Sequence, residues 1–535
     1  MTGQSFRAGS GIRGVVTLAA GLWLAGFALQ ASATELSEAQ QRGKQIYFEG
    51  VSPRGTEITA VVGDEAAMLP GSAMPCSGCH GSDGLGRPEG GIIPLDIRWS
   101  ELVKTYGHVH HDERRHPPFD EDSFIRSMIA GVDPANNPLD RSMPMYQMSG
   151  EDMQDLVAYM TVLEYDADPG VSDDTVTVAT LLPLTGNATD TGDAMRMVLD
   201  AYFSEINDTG GVFGRQIELL AVPMGASAAA SLDTLRAAFD SEDIFALVGA
   251  FTIGLDEPLL GYLRTDNVPL VGPFTLDPGD AYMDQAAFYL YAGFEDQVRV
   301  LAKKALADTG AADKILVLGP EGERTKRLQR AAKDQLRGSG SDEAPVMLAY
   351  PAGGFDAPAV ARAIADQSAE AVVFVGAQAE FDALVAQLRN QAPVPRIYLL
   401  SSLMERPLMD LPVMFDERVF LAYPTLSSDL TPRGREEFGR LAEKYGLPRS
   451  HIQAQIAALA AAKLFVEGLR KAGRDLSRVR LVDGLEELYQ FDTGMTPPLS
   501  YGPNRRIGAR GAHIVTVDLD EKTYKPVGEG WHSLQ

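Results

Sequence analysis

The chain has 535 residues, 45% hydrophobic and 22% charged, which is the composition of a folded protein too long for a single core. Its 73 acidic residues outweigh 47 basic ones, for a formal net charge of −26. A surface of that sign repels phosphate backbones and anionic lipid, so nucleic-acid and membrane-surface binding are set aside.

Residues 1–33 read as a secretory signal. Arg7 and Arg13 give the basic start, Gly14 to Leu29 the apolar stretch, and Ala31-Ser32-Ala33 the small-residue cleavage pattern. The alternative is an uncleaved anchor, for which the stretch is short. No later apolar run reads as long enough to span a bilayer. The mature chain is therefore expected to be soluble in the periplasm, with no membrane insertion after cleavage.

A first module is expected over 35–166. Ser37 with Gln40 makes a capping box that opens a helix carrying Gly43, Ile46 and Tyr47. The only two cysteines of the chain stand in Cys76-Ser77-Gly78-Cys79-His80. That C-x-x-C-H arrangement is the attachment signal of one covalent haem c. Two thiols one helical turn apart meet the two vinyl groups, and the adjacent imidazole becomes the proximal iron ligand. A thioredoxin-like pair would need a βαβ context, and a zinc site would need further cysteines. Four histidines fall in His108 to His116, with Pro117-Pro118 behind them. A polar loop is the preferred reading there over a metal site. Ser149 with Asp152 opens a last helix whose Met153, Leu156, Val157 and Met160 share a face.

Two terminal helices bracketing this motif resemble the class I cytochrome c family. The resemblance implies an all-α fold in which the terminal helices cross at Gly43 and Tyr159. It also implies a methionine as sixth ligand, just before the last helix. Met143, in Arg141-Ser142-Met143-Pro144, matches that place; Met145 and Met148 are its rivals. His80 and Met143 would then be the iron ligands, and Arg98 and Trp99 would touch the haem edge.

Asp166 to Asp174 is polar and rich in breakers, so 167–174 reads as a linker. From 175 to 535 the pattern alternates strand and helix. Strands are expected at Val176–Leu182, Gln216–Leu220, Ala246–Val248, Pro269–Val271, Lys314–Leu318, Ala371–Val375 and Ile397–Leu400. Helices are expected near 193–207 and 451–472, and a hairpin at 498–517. Alternation of this kind means parallel sheets covered by helices, and this length means two lobes with a cleft between them.

Leu182-Pro183-Leu184-Thr185-Gly186 and Asn207 to Arg215, with its glycines, resemble the periplasmic solute-binding proteins of the branched-chain amino acid type. That resemblance implies a type I two-lobe α/β fold and hydroxyl residues after first-lobe strands that hold a ligand carboxylate. Thr252 and Thr275 match those positions. Phe274 (with Phe251) would line the pocket, and Gln378 and Ser401 would face it from the second lobe. Gly319-Pro320-Glu321-Gly322 stands where the family carries an acidic-aromatic-glycine turn, so the ligand is expected to be amino acid-like or another small organic acid or alcohol-derived compound.

The whole is expected to be a multidomain electron carrier fused to a module for a small organic solute. No catalytic motif is visible, so no enzyme is expected. The partners expected are the solute, a periplasmic electron donor or acceptor such as a dehydrogenase, and an ABC permease. The alternatives are an importer's binding component with an accessory haem, or a redox-coupled ligand sensor.

Overall fold

The computed structural model describes residues 36–63, 66–86, 92, 94–110, 113–278, 286–339, 343–391 and 393–534. The expected signal over 1–33 and His111 lie outside these. Chain contacts divide the protein into two compact units. The first runs to Cys79 and resumes from Asp96 to Val162. The second holds the stretch opening at His80 and everything from Leu163 onward.

The first unit is mainly helical. In chain order come α1 (Glu38–Glu49), β1 (Thr59–Val62), β2 (Ala67–Pro70), the single turn α2 (Cys76–His80) and α3 (Trp99–Leu102). Then follow β3 (His108–Val109), β4 (Arg115–His116), α4 (Glu121–Ala130), β5 (Met145–Gln147) and α5 (Gly150–Met160). The expected capping box forms: the Ser37 side chain accepts from Gln40 N–H, and Gln40 reaches back. α1 stops at Gly50, whose φ of 64° is left-handed.

α1 and α5 cross where the sequence suggested. A Cβ on Gly43 would lie 1.9 Å from the Asp155 carbonyl oxygen and 2.7 Å from the Tyr159 Cβ. Only glycine lets the helices approach this closely. Beside the crossing, Arg42 donates two hydrogen bonds to Asp155 (2.8 and 3.0 Å) and Arg54 two more (3.1 and 2.7 Å). The fold adds two small sheets to the helices, one of them the β3-β4 pair. The β-branched run at β1 pairs antiparallel with β2 and β5 to form a small sheet.

The second unit alternates. It begins β6 (Thr175–Leu182), α6 (Thr189–Asp208), β7 (Gln216–Pro223), α7 (Ala228–Ser241), β8 (Ala246–Val248), α8 (Asp256–Leu263), β9 (Leu270–Val271) and β10 (Ala287–Tyr291). Next come α9 (Phe294–Thr309), β11 (Ile315–Pro320), α10 (Glu323–Gly338), β12 (Val346–Tyr350), α11 (Ala357–Asp366), β13 (Ala371–Phe374), α12 (Gln378–Leu388), β14 (Arg396–Leu400) and β15 (Val419–Tyr423). It closes with α13 (Pro432–Tyr445), α14 (Ile452–Ala472), α15 (Arg478–Glu486), β16 (Ile507–Ala509), β17 (Gly511–Asp518) and β18 (Thr523–Ser533).

Two sheets result, ordered β16-β10-β9-β8-β6-β7 and β12-β11-β13-β14-β15-β17-β18. The first is parallel; the second turns antiparallel at β17 and β18. The chain crosses between sheets three times: after β10, after β15, and after β16, where Arg510 alone separates β16 from β17. The late hairpin is displaced from the expected 498–517 and is made by β17 and β18. Strands β10, β12 and β15 were not expected. Their short apolar runs carry no turn signals strong enough to separate them from helix.

One sequence expectation is corrected by α14. This helix is long and apolar enough to cross a bilayer. It is instead the core helix of the first lobe: Ala457, Ala461, Leu464 and Phe465 pack with Leu199, Phe203 and Val271. Of its 21 residues 14 are buried, as a position inside a lobe requires.

Candidate functional site

The haem motif lies on α2, so Cys76, Cys79 and His80 share one helical turn. Cys76 is half-buried and Cys79 exposed. Burial pushes the Cys76 thiol up to about 12, against a smaller opposing effect of nearby hydrogen-bond donors that include Tyr146. The Tyr146 hydroxyl donates to the Met74 carbonyl at 2.6 Å and so pins the approach to α2.

His80 is buried, and its Nδ1 stands 3.0 Å from the Leu95 carbonyl oxygen. A carbonyl only accepts, so Nδ1 carries the proton and Nε2 carries the lone pair. Two thiols on one turn and an imidazole in that tautomer are the donor set a covalent haem needs. The residues present fit the group.

Met143 ends a turn, its N–H bonded to the Asp140 carbonyl at 3.0 Å. Asp140 is held well below the usual carboxylate range by the Ser142 hydroxyl and N–H. Of the rival methionines, Met145 sits in β5, where its Cγ and Sδ face Gly131 at the end of α4. Arg98 forms a fork with Asp96, and Trp99 packs edge-on against Phe124 at 6.0 Å.

The histidine-rich stretch is a hairpin rather than an open loop. His108 and His116 are cross-strand partners with ring centroids 4.9 Å apart, and His110 stacks 5.0 Å from His116. The Nε2 atoms of His110 and His116 share a hydrogen bond at 2.9 Å. Among the described residues no group of three side chains is placed to hold a metal ion.

In the second unit, Thr252 and Phe274 follow β8 and β9. A parallel bridge joins Phe251 to Phe274, whose rings lie 5.7 Å apart. Both threonine hydroxyls point at one carboxylate. Thr252 donates to Asp256 Oδ1 at 2.7 Å and Thr275 to Oδ2 at 2.8 Å. Burial pushes Asp256 up to about 6; the two hydroxyls oppose that rise, and Asp277 adds to it. Sequence reasoning missed Asp256. The signal available was an acid four residues after Thr252, at the first turn of α8.

Gln378 is the buried first residue of α12; it donates to Asp382 at 2.9 Å, and its Oε1 is buried without a partner. Ser401 follows the adjacent strand β14 and opens a tight turn to Leu403. The fold therefore groups Thr252, Phe274 and Thr275 at one sheet, and sets Gln378 and Ser401 beyond neighbouring strands of the other.

A family model described as periplasmic binding protein matches residues 175–523, and one described as cytochrome c matches 72–164. No curated protein matches the chain. Among solved structures, a putative branched-chain amino acid ABC transporter from Rhodospirillum rubrum superposes with a TM-score of 0.52 at 17% identity, covering 66% of this chain and 100% of that one. A branched chain amino acid ABC transporter from Thermus thermophilus with bound valine gives 0.51 at 15%, covering 68% and 97%. A periplasmic binding protein type 1 from Bordetella pertussis Tohama I gives 0.51 at 14%, covering 66% and 100%. At these identities the likeness speaks to fold.

Proposed function

The chain belongs to the periplasmic binding protein family and carries a cytochrome c domain ahead of that fold; on this premise we propose that it is a periplasmic one-haem electron carrier whose second module recognises a small organic ligand. The observation that supports the reading is α2, with both thiols on one turn and His80 Nδ1 hydrogen-bonded to the Leu95 carbonyl, an arrangement suited to an Nε2 ligand. A haem held by Cys76 and Cys79 supplies one-electron transfer at that place. The Leu95 carbonyl orients the imidazole of His80, and His80 and Met143 would be the residues that hold the iron, a pairing that would favour outer-sphere electron transfer over oxygen chemistry. In this reading the protein is not an enzyme, and it exchanges electrons with a periplasmic donor or acceptor.

The test is an optical redox titration of the haem-loaded mature chain beside Met143→Ala. The reading expects a low-spin wild type with a positive potential and a weak near-infrared sulfur-to-iron band that the variant loses. An unchanged variant would move the sixth ligand elsewhere, and a high-spin wild type would sink the carrier role.

A second reading has its own support. The family match over 175–523 fits the binding component of an ABC importer, with a permease as partner and the haem as an accessory.

A further inference from the structure

Thr252 and Thr275, the hydroxyls placed to receive a ligand carboxylate, both give their protons to Asp256. The cationic groups lie elsewhere. Two residues beyond Thr275, a cavity of about 280 Å³ opens where three distant segments meet: Asp277-Pro278, the start of α9, and the turn around β16. Its size is near the lower end for small-molecule sites.

The charges around it do not cancel. Asp296 is shared by Arg299 (2.6 Å) and Arg510 (3.0 Å). Glu295 lies 3.4 Å from Arg327 and 3.8 Å from Arg299, and Asp277 lies 2.7 Å from Arg327 and 3.8 Å from Arg324. Arg506 has its own carboxylate, Glu486, at 2.6 Å. Arg505 also lines the cavity, and among the described residues it forms no salt bridge. Its guanidinium bonds only to the carbonyls of Gly508 (3.0 Å) and Ile507 (3.4 Å). Burial and the neighbouring Arg510 lower its affinity for its own proton, which an arriving anion would reverse. Asp277, Glu295 and Asp296 each serve two guanidiniums, Glu486 serves one, and among the described residues no carboxylate serves Arg505, so four carboxylates face six guanidiniums in a chain whose formal charge is −26. The N-terminus of α9, with no side-chain cap, opens on the same space.

We propose that this cavity binds a compact dianion, with Arg505 supplying the guanidinium fork and Arg510 the second positive group. The proposal rests on reading this module as solute-binding and names the ligand's charge. A dicarboxylate and an inorganic phosphate share the required chemistry. Its occupant would touch segments leading from both sheets.

The experiment is calorimetric titration of the haem-loaded mature chain with succinate and, separately, with inorganic phosphate, at low ionic strength. Stoichiometric binding of either probe is expected, and the probe that binds identifies the class. Arg505→Gln should weaken it about ten- to a hundredfold. Arg505→Lys, which keeps the charge and loses the fork, should weaken it less. Arg196→Gln removes the same charge from an exposed face of α6 and should change nothing. Should neither probe bind, or should Arg505→Gln and Arg196→Gln behave alike, the proposal is overturned. A panel of neutral and cationic small molecules, read by thermal shift, separates the two failures. A hit insensitive to both Arg505 variants keeps the solute-binding reading and discards the dianion.

Discussion

Cys76 and Cys79 are three residues apart, yet their surroundings differ. A thiol held up to about 12 is almost wholly protonated near neutrality, and only the thiolate reacts. Alkylation of haem-free chain at about pH 8 should therefore label exposed Cys79 well before Cys76, with the ratio read by peptide mass mapping. Equal rates would mean that burial does not protect Cys76. At this scale the sequence was most legible where chemistry is local. The C-x-x-C-H spacing needs only five consecutive residues, and the tautomer of His80 needed one distant carbonyl to complete it. Thr252 and Thr275 were legible as positions but not as donors. Their hydroxyls are committed by Asp256, and which acceptor a hydroxyl finds depends on packing between segments. Arg505 was not legible at all, because its surplus charge appears only once three segments converge.

At the scale of elements, the crossing of α1 and α5 makes a quantitative demand. Gly43→Ala gains helix propensity of about 1 kcal/mol, but its methyl group would meet the Asp155 carbonyl at 1.9 Å. Overpacking against backbone costs more than that gain, so a net loss of about 2 kcal/mol or more is expected by denaturant titration. Asp155 joins the same two helices. Burial raises its proton affinity, but the bonds from Arg42 and Arg54 more than offset this and leave it below its ordinary 3.8. A carboxyl with a depressed folded value contributes stability above its unfolded value and loses it as pH falls through the folded one. Asp155→Asn should thus melt earlier than wild type at neutral pH, with the two curves converging in acid. The helices were legible because caps and apolar stripes are short-range signals. The strands β10, β12 and β15 were not, because a brief apolar run is decided by its sheet neighbours.

At the scale of the molecule, the hydrophobic clusters of the second unit are built from its own strands and helices, and in the first unit Tyr47, Leu156 and Tyr159 are buried, with Tyr47 and Tyr159 in ring contact. Separate cores predict separate melting. Scanning calorimetry of the mature chain should resolve more than one transition, and Asp155→Asn should move only the one that carries haem absorbance. A single transition displaced as a whole would mean that the units fold as one cooperative body. The class of each module was legible from alternation and length; the extra sheets of the first and the late hairpin of the second required pairing between strands.

Between β16 and β17 the chain changes sheets at a single residue. One residue, Arg510, leads from one sheet to the other, and the next, Gly511, has a φ of 158° with no room for a Cβ beside the His532 carbonyl. Arg510 also grips Asp296 in the first turn of α9, where another crossing ends. Two of the three covalent straps between the lobes are therefore bolted to each other. Bodies joined in this way lose sliding and twisting before they lose bending. A door's freedom, one swing about an axis through the bolt, is the motion this linkage would leave to the lobes.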